Sequence, residues 1–68
     1  AWPLFSVKGV AVGEKNLVML DTGEMLEPGE RSRTGARIVR IHPHGAVFEW
    51  EGQTNLLRKG ESSDKPLF

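Results

Sequence analysis

The sequence predicts a small all-β domain: a six-stranded antiparallel sheet sandwich or partly open barrel. Three observations predict it. The eight glycines fall at positions 9, 13, 23, 29, 35, 45, 52 and 60, so a turn signal recurs every four to ten residues. The runs between them are too short for helices and rich in Val, Ile, Leu, Phe and Trp. The central stretch Asp21–Gly52 carries turn signals at Asp21-Thr22-Gly23, Pro28-Gly29, Gly35, Pro43-His44-Gly45 and Glu51-Gly52, with β-branched and aromatic runs between them.

Each element follows from its local pattern. Ala1–Phe5 is a lead-in, broken by Pro3. The first strand runs from Val7 to about Val12, with Val10 and Val12 on one face and Gly9 and Ala11 on the other. A glycine inside a strand signals a bulge or a close backbone approach. Gly13–Asn16 is a polar turn. Leu17–Leu20 is a continuous apolar run, which reads as a strand covered on both faces. Asp21-Thr22-Gly23 closes a hairpin with a three-residue loop onto the short return strand Glu24–Leu26. Glu27-Pro28-Gly29-Glu30 is a turn and Arg31–Thr34 a loop. Ala36–Ile41 is a β-branched strand with Val39 and Ile41 on one face and Ile38 on the other. His42-Pro43-His44-Gly45 connects it to Ala46–Trp50, whose alternation groups Ala46, Phe48 and Trp50. Glu51-Gly52 is a two-residue hairpin turn leading into the last strand, Gln53–Leu57.

The expected core is Val10, Val12, Leu17, Met19, Leu26, Ile38, Val39, Ile41, Val47, Phe48, Trp50 and Leu56, with Trp2 and Phe5 capping the open bottom of the sheet. Residues 1–58 form the single β domain. Residues 59–68, mostly polar with Gly60, two serines and Pro66, are expected to be a flexible tail or linker.

Bulk composition excludes more than it assigns. Sixty-eight residues make one domain, near the lower size limit for folding without staples. There is no cysteine, so disulfides and thiolate metal sites are excluded. Nine basic and nine acidic residues cancel, so no net charge drives binding to nucleic acid. No apolar run approaches the roughly 20 residues that span a bilayer. The chain starts Ala1-Trp2-Pro3 without an initiator methionine, which reads as a processed protein or a piece of a longer one.

Candidate chemistry is sparse. His42 and His44 offer two imidazoles, whereas a zinc site needs three or four ligands. Ser6, Ser32, Thr34 and Asp21 stand in no nucleophile-elbow context. Glu24, Glu27 and Glu30 lie in turns of a chain too small for a deep cleft. Arg31, Arg33, Arg37 and Arg40 concentrate positive charge within ten residues, near Phe48 and Trp50, a combination that small nucleic-acid-binding barrels use. The preceding glutamates point instead to neutralising pairs across turns. No catalytic residue, metal site or cofactor is expected. An open sheet has edge strands to which another strand can add. The first strand, with only Lys8 as a protecting charge, is the best candidate edge.

The strands V-x-G-V at 7–10, the apolar run before Gly23, L-x-P-G-E at 26–30, G-A-R-I-V-R-I at 35–41 and H-G-A-V-F-E-W-E-G at 44–52 together resemble a group of small periplasmic domains. These belong to inner-membrane proteins of secretin-based machines: the homology region of the type II secretion C protein, the type IV pilus P lipoprotein and the C-terminal domain of the type II secretion B protein. The chain is also similar to ring-forming periplasmic domains of type III secretion inner-membrane proteins. The resemblance covers about residues 5–58, and Glu30 matches the acidic residue usual after the second glycine. The His42-Pro43-His44 connection and the arginine-rich loop depart from the pattern. The resemblance implies a non-enzymatic periplasmic connector, whose parent is anchored in the inner membrane by a segment absent from this chain. Its partner would be the N-terminal periplasmic domain of an outer-membrane secretin and not nucleic acid. Carried over, Val7, Lys8, Val10 and Val12 would form the docking edge, and Arg37 and Arg40 would pair with acidic residues of the partner. The competing expectation is an SH3-like or cold-shock-like barrel binding nucleic acid. It requires the arginines on one continuous face with an exposed aromatic.

Overall fold

Every turn signal in the central stretch folds as a tight turn in the computed structural model, which describes residues 2–63. The strands are β1 (Val7–Ala11), β2 (Leu17–Leu20), β3 (Met25–Leu26), β4 (Arg37–His42), β5 (Gly45–Trp50) and β6 (Gln53–Arg58), and no helix occurs among the described residues. They form two three-stranded antiparallel sheets, β1-β2-β3 and β4-β5-β6, each a simple meander. The sheets are not closed into a barrel, so the all-β expectation holds in its sandwich form.

The hairpins are those the turn residues dictate. Across Asp21-Thr22-Gly23, the Leu20 amide donates to the Glu24 carbonyl at 2.9 Å and the Gly23 amide to the Leu20 carbonyl at 3.0 Å. At the β5–β6 turn Glu51 has φ 48° and Gly52 φ 80°. Both central residues are thus left-handed, as a two-residue hairpin with matched twist requires. Glutamate is strained there, so Glu51→Asn is expected to stabilise the domain by about 1 kcal/mol, read as a higher urea midpoint. An unchanged or lower midpoint would mean that the turn relaxes in solution.

Two segments read as irregular are ordered. Arg31–Thr34, expected to be a loop, is part of a tight reversal laid along the outer edge of β4. The Gly29 amide donates to Ile38 O at 2.7 Å, Ile38 N to Glu30 O at 2.9 Å and Ser32 N to Ala36 O at 2.7 Å. Residues 59–63, expected to begin a tail, instead form a strap across the start of β1. Val7 N donates to Glu61 O at 3.1 Å, Gly60 N to Val7 O at 2.8 Å and Ser63 N to Phe5 O at 2.8 Å. Ser63 is 2% exposed; its hydroxyl donates to Pro3 O at 2.5 Å and accepts from Phe5 N at 3.0 Å. The strap joins the two sheets, because it continues directly from β6. The rest of the expected tail, 64–68, lies outside the described residues.

The core between the sheets is Phe5, Val7, Val18, Leu20 and Leu26 from the first half, with Ala36, Ile38, Ile41, Ala46, Phe48 and Leu57 from the second. Phe5 and Phe48 meet at its centre with ring centroids 4.9 Å apart and planes inclined by 57°. Only Leu26, Ile38, Ile41 and Phe48 of the expected core are buried. The corrections have two causes. Bulges at Lys8 and Val39 each insert one residue and reverse the alternation downstream. That is why Ile38 and Ile41, three apart, share the core face, and why Val7 and Val10, also three apart, both face inward; Val12 lies past the end of β1 and is 53% exposed. Adjacent apolar residues supply the second cause: β2 buries Val18 and Leu20 rather than Leu17 and Met19, and β6 buries Leu57 rather than Leu56. Phe5 is a core residue and not a cap. Trp50 is half-buried at the end of the sandwich, its ring centroid 6.1 Å from that of Trp2.

Candidate docking edge and groove

The bulge at Lys8 builds the site. Val7 pairs with Leu20 and Gly9 with Met19, so one residue of β1 stands outside the ladder. Beyond it Val10 faces inward, opposite buried Val18, while Gly9 and Ala11 face outward, opposite Met19 and Leu17. Met25 of β3 pairs with Met19, so it shares that outward face. The edge strand thus contributes a hydrogen atom and a methyl where its neighbours contribute Leu and Met. The result is a step in the sheet surface, an apolar groove of about 170 Å³ lined by Gly9, Val10, Ala11, Leu17, Met19 and Met25. Met19 is 43% exposed and Met25 58%. Nothing among the described residues covers this face, although the Leu17–Leu20 run reads as a strand buried on both sides.

The edge beside the groove is half occupied. The strap takes the N–H and C=O of Val7. From Lys8 to Ala11, no main-chain hydrogen bond is made except within the β1–β2 ladder, among the described residues. That short segment is an open edge.

The predicted docking residues are therefore placed differently from one another. Val7 is fully buried and its main chain is engaged by the strap. Lys8 is exposed on the bulge, Val10 is half-buried against the core, and Val12 lies exposed just past the end of β1. Arg37 and Arg40 belong to the other sheet, on its outward face. Arg37 is engaged within the chain, its Nε donating to Glu49 Oε1 at 3.1 Å. Arg40 is exposed opposite Val47 and has no acidic partner within 4 Å among the described residues. The edge and the arginines do not form one site. Sequence reasoning missed Leu17, Met19 and Met25 as surface residues, because an unbroken apolar run does not say which of its faces the chain itself covers.

The charged residues mostly serve the turns. Glu24 accepts from Thr22 Oγ1 at 2.8 Å and Arg33 N at 2.9 Å, tying two turns together; its ion pair with Arg33 is long, at 3.9 Å. Glu30 accepts from Glu27 N at 2.7 Å, and Arg31 donates to Gly35 O at 2.8 Å. Glu49 accepts from Gly52 N at 3.0 Å and from Arg37. The Gly52 amide first, and the Arg37 guanidinium second, hold its carboxyl below the ordinary 4.5. A depressed carboxylate contributes stability above its unfolded pKa and loses it as pH falls through its folded pKa. Wild type is therefore expected to lose this contribution below about pH 4.5, and Glu49→Gln to show a shallower fall in thermal midpoint there. Parallel acid curves for the two proteins would contradict this role.

The remaining candidates do not assemble. His42 and His44 stack, ring centroids 5.7 Å apart, but no group of three metal-binding side chains exists among the described residues. Ser32 and Thr34 share a hydroxyl–hydroxyl bond of 2.7 Å inside their turn. Cross-strand pairing puts Arg37, Arg40, His42 and Arg58 on the outward face of the second sheet. The aromatics face the other way: Phe48 is fully buried, and Trp50 packs on Trp2, whose Nε1 donates to Gln53 Oε1 at 2.9 Å. Among the described residues, no Phe or Trp therefore lies on the basic face. No family model, no curated protein and no solved structure matches this chain.

Proposed function

We propose that the chain is a non-enzymatic interaction module of a bacterial secretin-based secretion or pilus machine. In this reading it sits in the periplasm, on a parent held in the inner membrane, and docks the N-terminal periplasmic domain of the outer-membrane secretin. The observation that carries the docking role is the open edge Lys8–Ala11 beside an uncovered apolar face. The pattern of glycine turns and short strands supports the setting, through its resemblance to the periplasmic domains named above. Edge addition supplies affinity through main-chain hydrogen bonds and specificity through the side chains alongside.

The test is a chemical-shift titration of the labelled domain with the N-terminal periplasmic domain of a secretin encoded beside it. Shifts confined to Lys8–Val12, Leu17, Met19 and Met25 are expected. Shifts confined to Arg37, Arg40, His42 and Arg58, reproduced by a single-stranded oligonucleotide at low salt, would replace this reading with nucleic-acid binding.

A further inference from the structure

Gly9 stands directly after the bulge at Lys8, but that bulge does not require a glycine. Its φ is not positive, so the backbone does not demand glycine. A Cβ built on it meets nothing within 4 Å. Inside a strand, glycine weakens the structure, since it has no side chain to pack and loses more freedom on folding. Here it also leaves Met19, its cross-strand partner, uncovered on the outer face. Gly45 shows the contrast: there the backbone of β6 excludes any side chain. A strand glycine marks a bulge or the close approach of a ligand or another chain; here the bulge leaves the glycine unrequired, which points to the close approach.

We propose that Gly9 leaves room for a partner's side chain. An extended segment of another protein adds as a strand along Lys8–Ala11, lays one large apolar side chain over Gly9 into the groove, and sets an acidic residue against Lys8. Three observations identify this occupant. The groove, about 170 Å³ and apolar, takes a single leucine-sized or aromatic side chain. A long side chain opposite a strand glycine reaches across it to the next strand, here to Met19 and Leu17. Lys8 stands exposed at the head of the edge, while the ion pairs among the described residues, Arg33–Glu24 and Arg37–Glu49, lie elsewhere. A second copy of the chain does not fit. Two β1 edges paired antiparallel about Val10 bring Gly9 and Ala11 to each other's grooves, which fills neither, and set Lys8 against Val12.

The inference rests on edge docking but not on the partner being a secretin. The probe is a blocked seven-residue peptide in which leucine alternates with threonine, one threonine replaced by aspartate. Added to labelled wild-type domain, it is expected to shift Lys8–Ala11, Leu17, Met19 and Met25. Against Gly9→Val the binding should weaken by about tenfold or more, while the melting temperature stays equal or rises. Lys8→Glu should weaken it too, and a peptide with asparagine for leucine should leave the spectrum unchanged. Equal binding to wild type and Gly9→Val, shifts elsewhere, or no shifts at all would overturn the inference. If the secretin domain binds and the peptide does not, the groove inference falls and the module reading stands. If the peptide binds and the secretin domain does not, only the named partner falls.

Discussion

Gly45→Ala is expected to unfold the domain or leave it barely folded. Gly45 is buried where β5 leaves the Pro43-His44 turn and pairs with Arg58 at the end of β6. A Cβ there would fall on the Leu57 carbonyl oxygen, 2.8 Å from Arg58 Cα and 3.1 Å from the Leu57 carbonyl carbon. All three are backbone atoms, so no side chain can rotate to make space. The only relief is to move the end of β6 away from β5. That end runs straight into the strap, where Lys59 N donates to His44 O at 3.0 Å and Gly60 and Glu61 clasp Val7. Overpacking of this kind costs about 3 kcal/mol or more. A domain of this size holds only roughly 3–10 kcal/mol in total. A urea melt followed by circular dichroism checks it. A variant with the wild-type midpoint would show that β6 does not approach β5 this closely.

Phe48→Ala should be almost as damaging, and Trp50→Ala much less so. The two residues lie on one face of β5, and alternation alone makes them equivalent. The packing does not. Phe48 is completely buried against Phe5 and Ile38, whereas Trp50 is half-buried at the end of the sandwich with Trp2. Truncating a buried phenylalanine costs about 3–5 kcal/mol. Losing the partly exposed Trp50 ring should cost about 1–2 kcal/mol. Thermal melts of the two variants separate these expectations, and the reverse order would put the centre of the core at the wrong aromatic pair.

Local sequence determines the turns of this fold but not the phase of its strands. The turns were legible because each rests on a residue with a special backbone: the three-residue loop at Asp21-Thr22-Gly23, the Pro28-Gly29 turn and the Glu51-Gly52 hairpin all form as read. With the turns came the six strands and the all-β class. Strand phase was not legible. A period of two survives only as long as no residue is inserted, and the bulges at Lys8 and Val39 are inserted residues. The strap was invisible for a different reason. Residues 59–63 are polar and carry no hydrophobic signature, since they are held by main-chain hydrogen bonds and the buried Ser63 hydroxyl. At the candidate site, the first strand was identifiable as an edge, yet its usable length was not. The strap closes the Val7 end, and the bulge decides that Gly9 and Ala11 take the outward face beside Met19 and Leu17 while the Val10 side chain packs against the core.

Together these features describe a sandwich in which, among the described residues, the first sheet is packed on one side only. Its inner face completes the core with the second sheet. Its outer face shows Leu17, Met19 and Met25 beside a strand edge that is open for four residues, Lys8–Ala11. Methionine suits such a surface, because its unbranched and polarisable side chain adapts to what covers it. The arginines belong to a separate face, so they do not contribute to docking at this edge; Arg40→Ala should leave binding there unchanged.

The most direct test of edge docking is amide hydrogen exchange of the domain, alone and with the secretin N-terminal domain. In the free protein, Val7 and Gly60, bonded through the strap, should be protected, and the outward-pointing amides of Lys8–Ala11 should exchange rapidly. Adding the partner should protect that segment and leave Arg40 and His42 unchanged. Protection that appears on β4–β6 instead, with Lys8–Ala11 still exchanging freely, would contradict docking at the β1 edge.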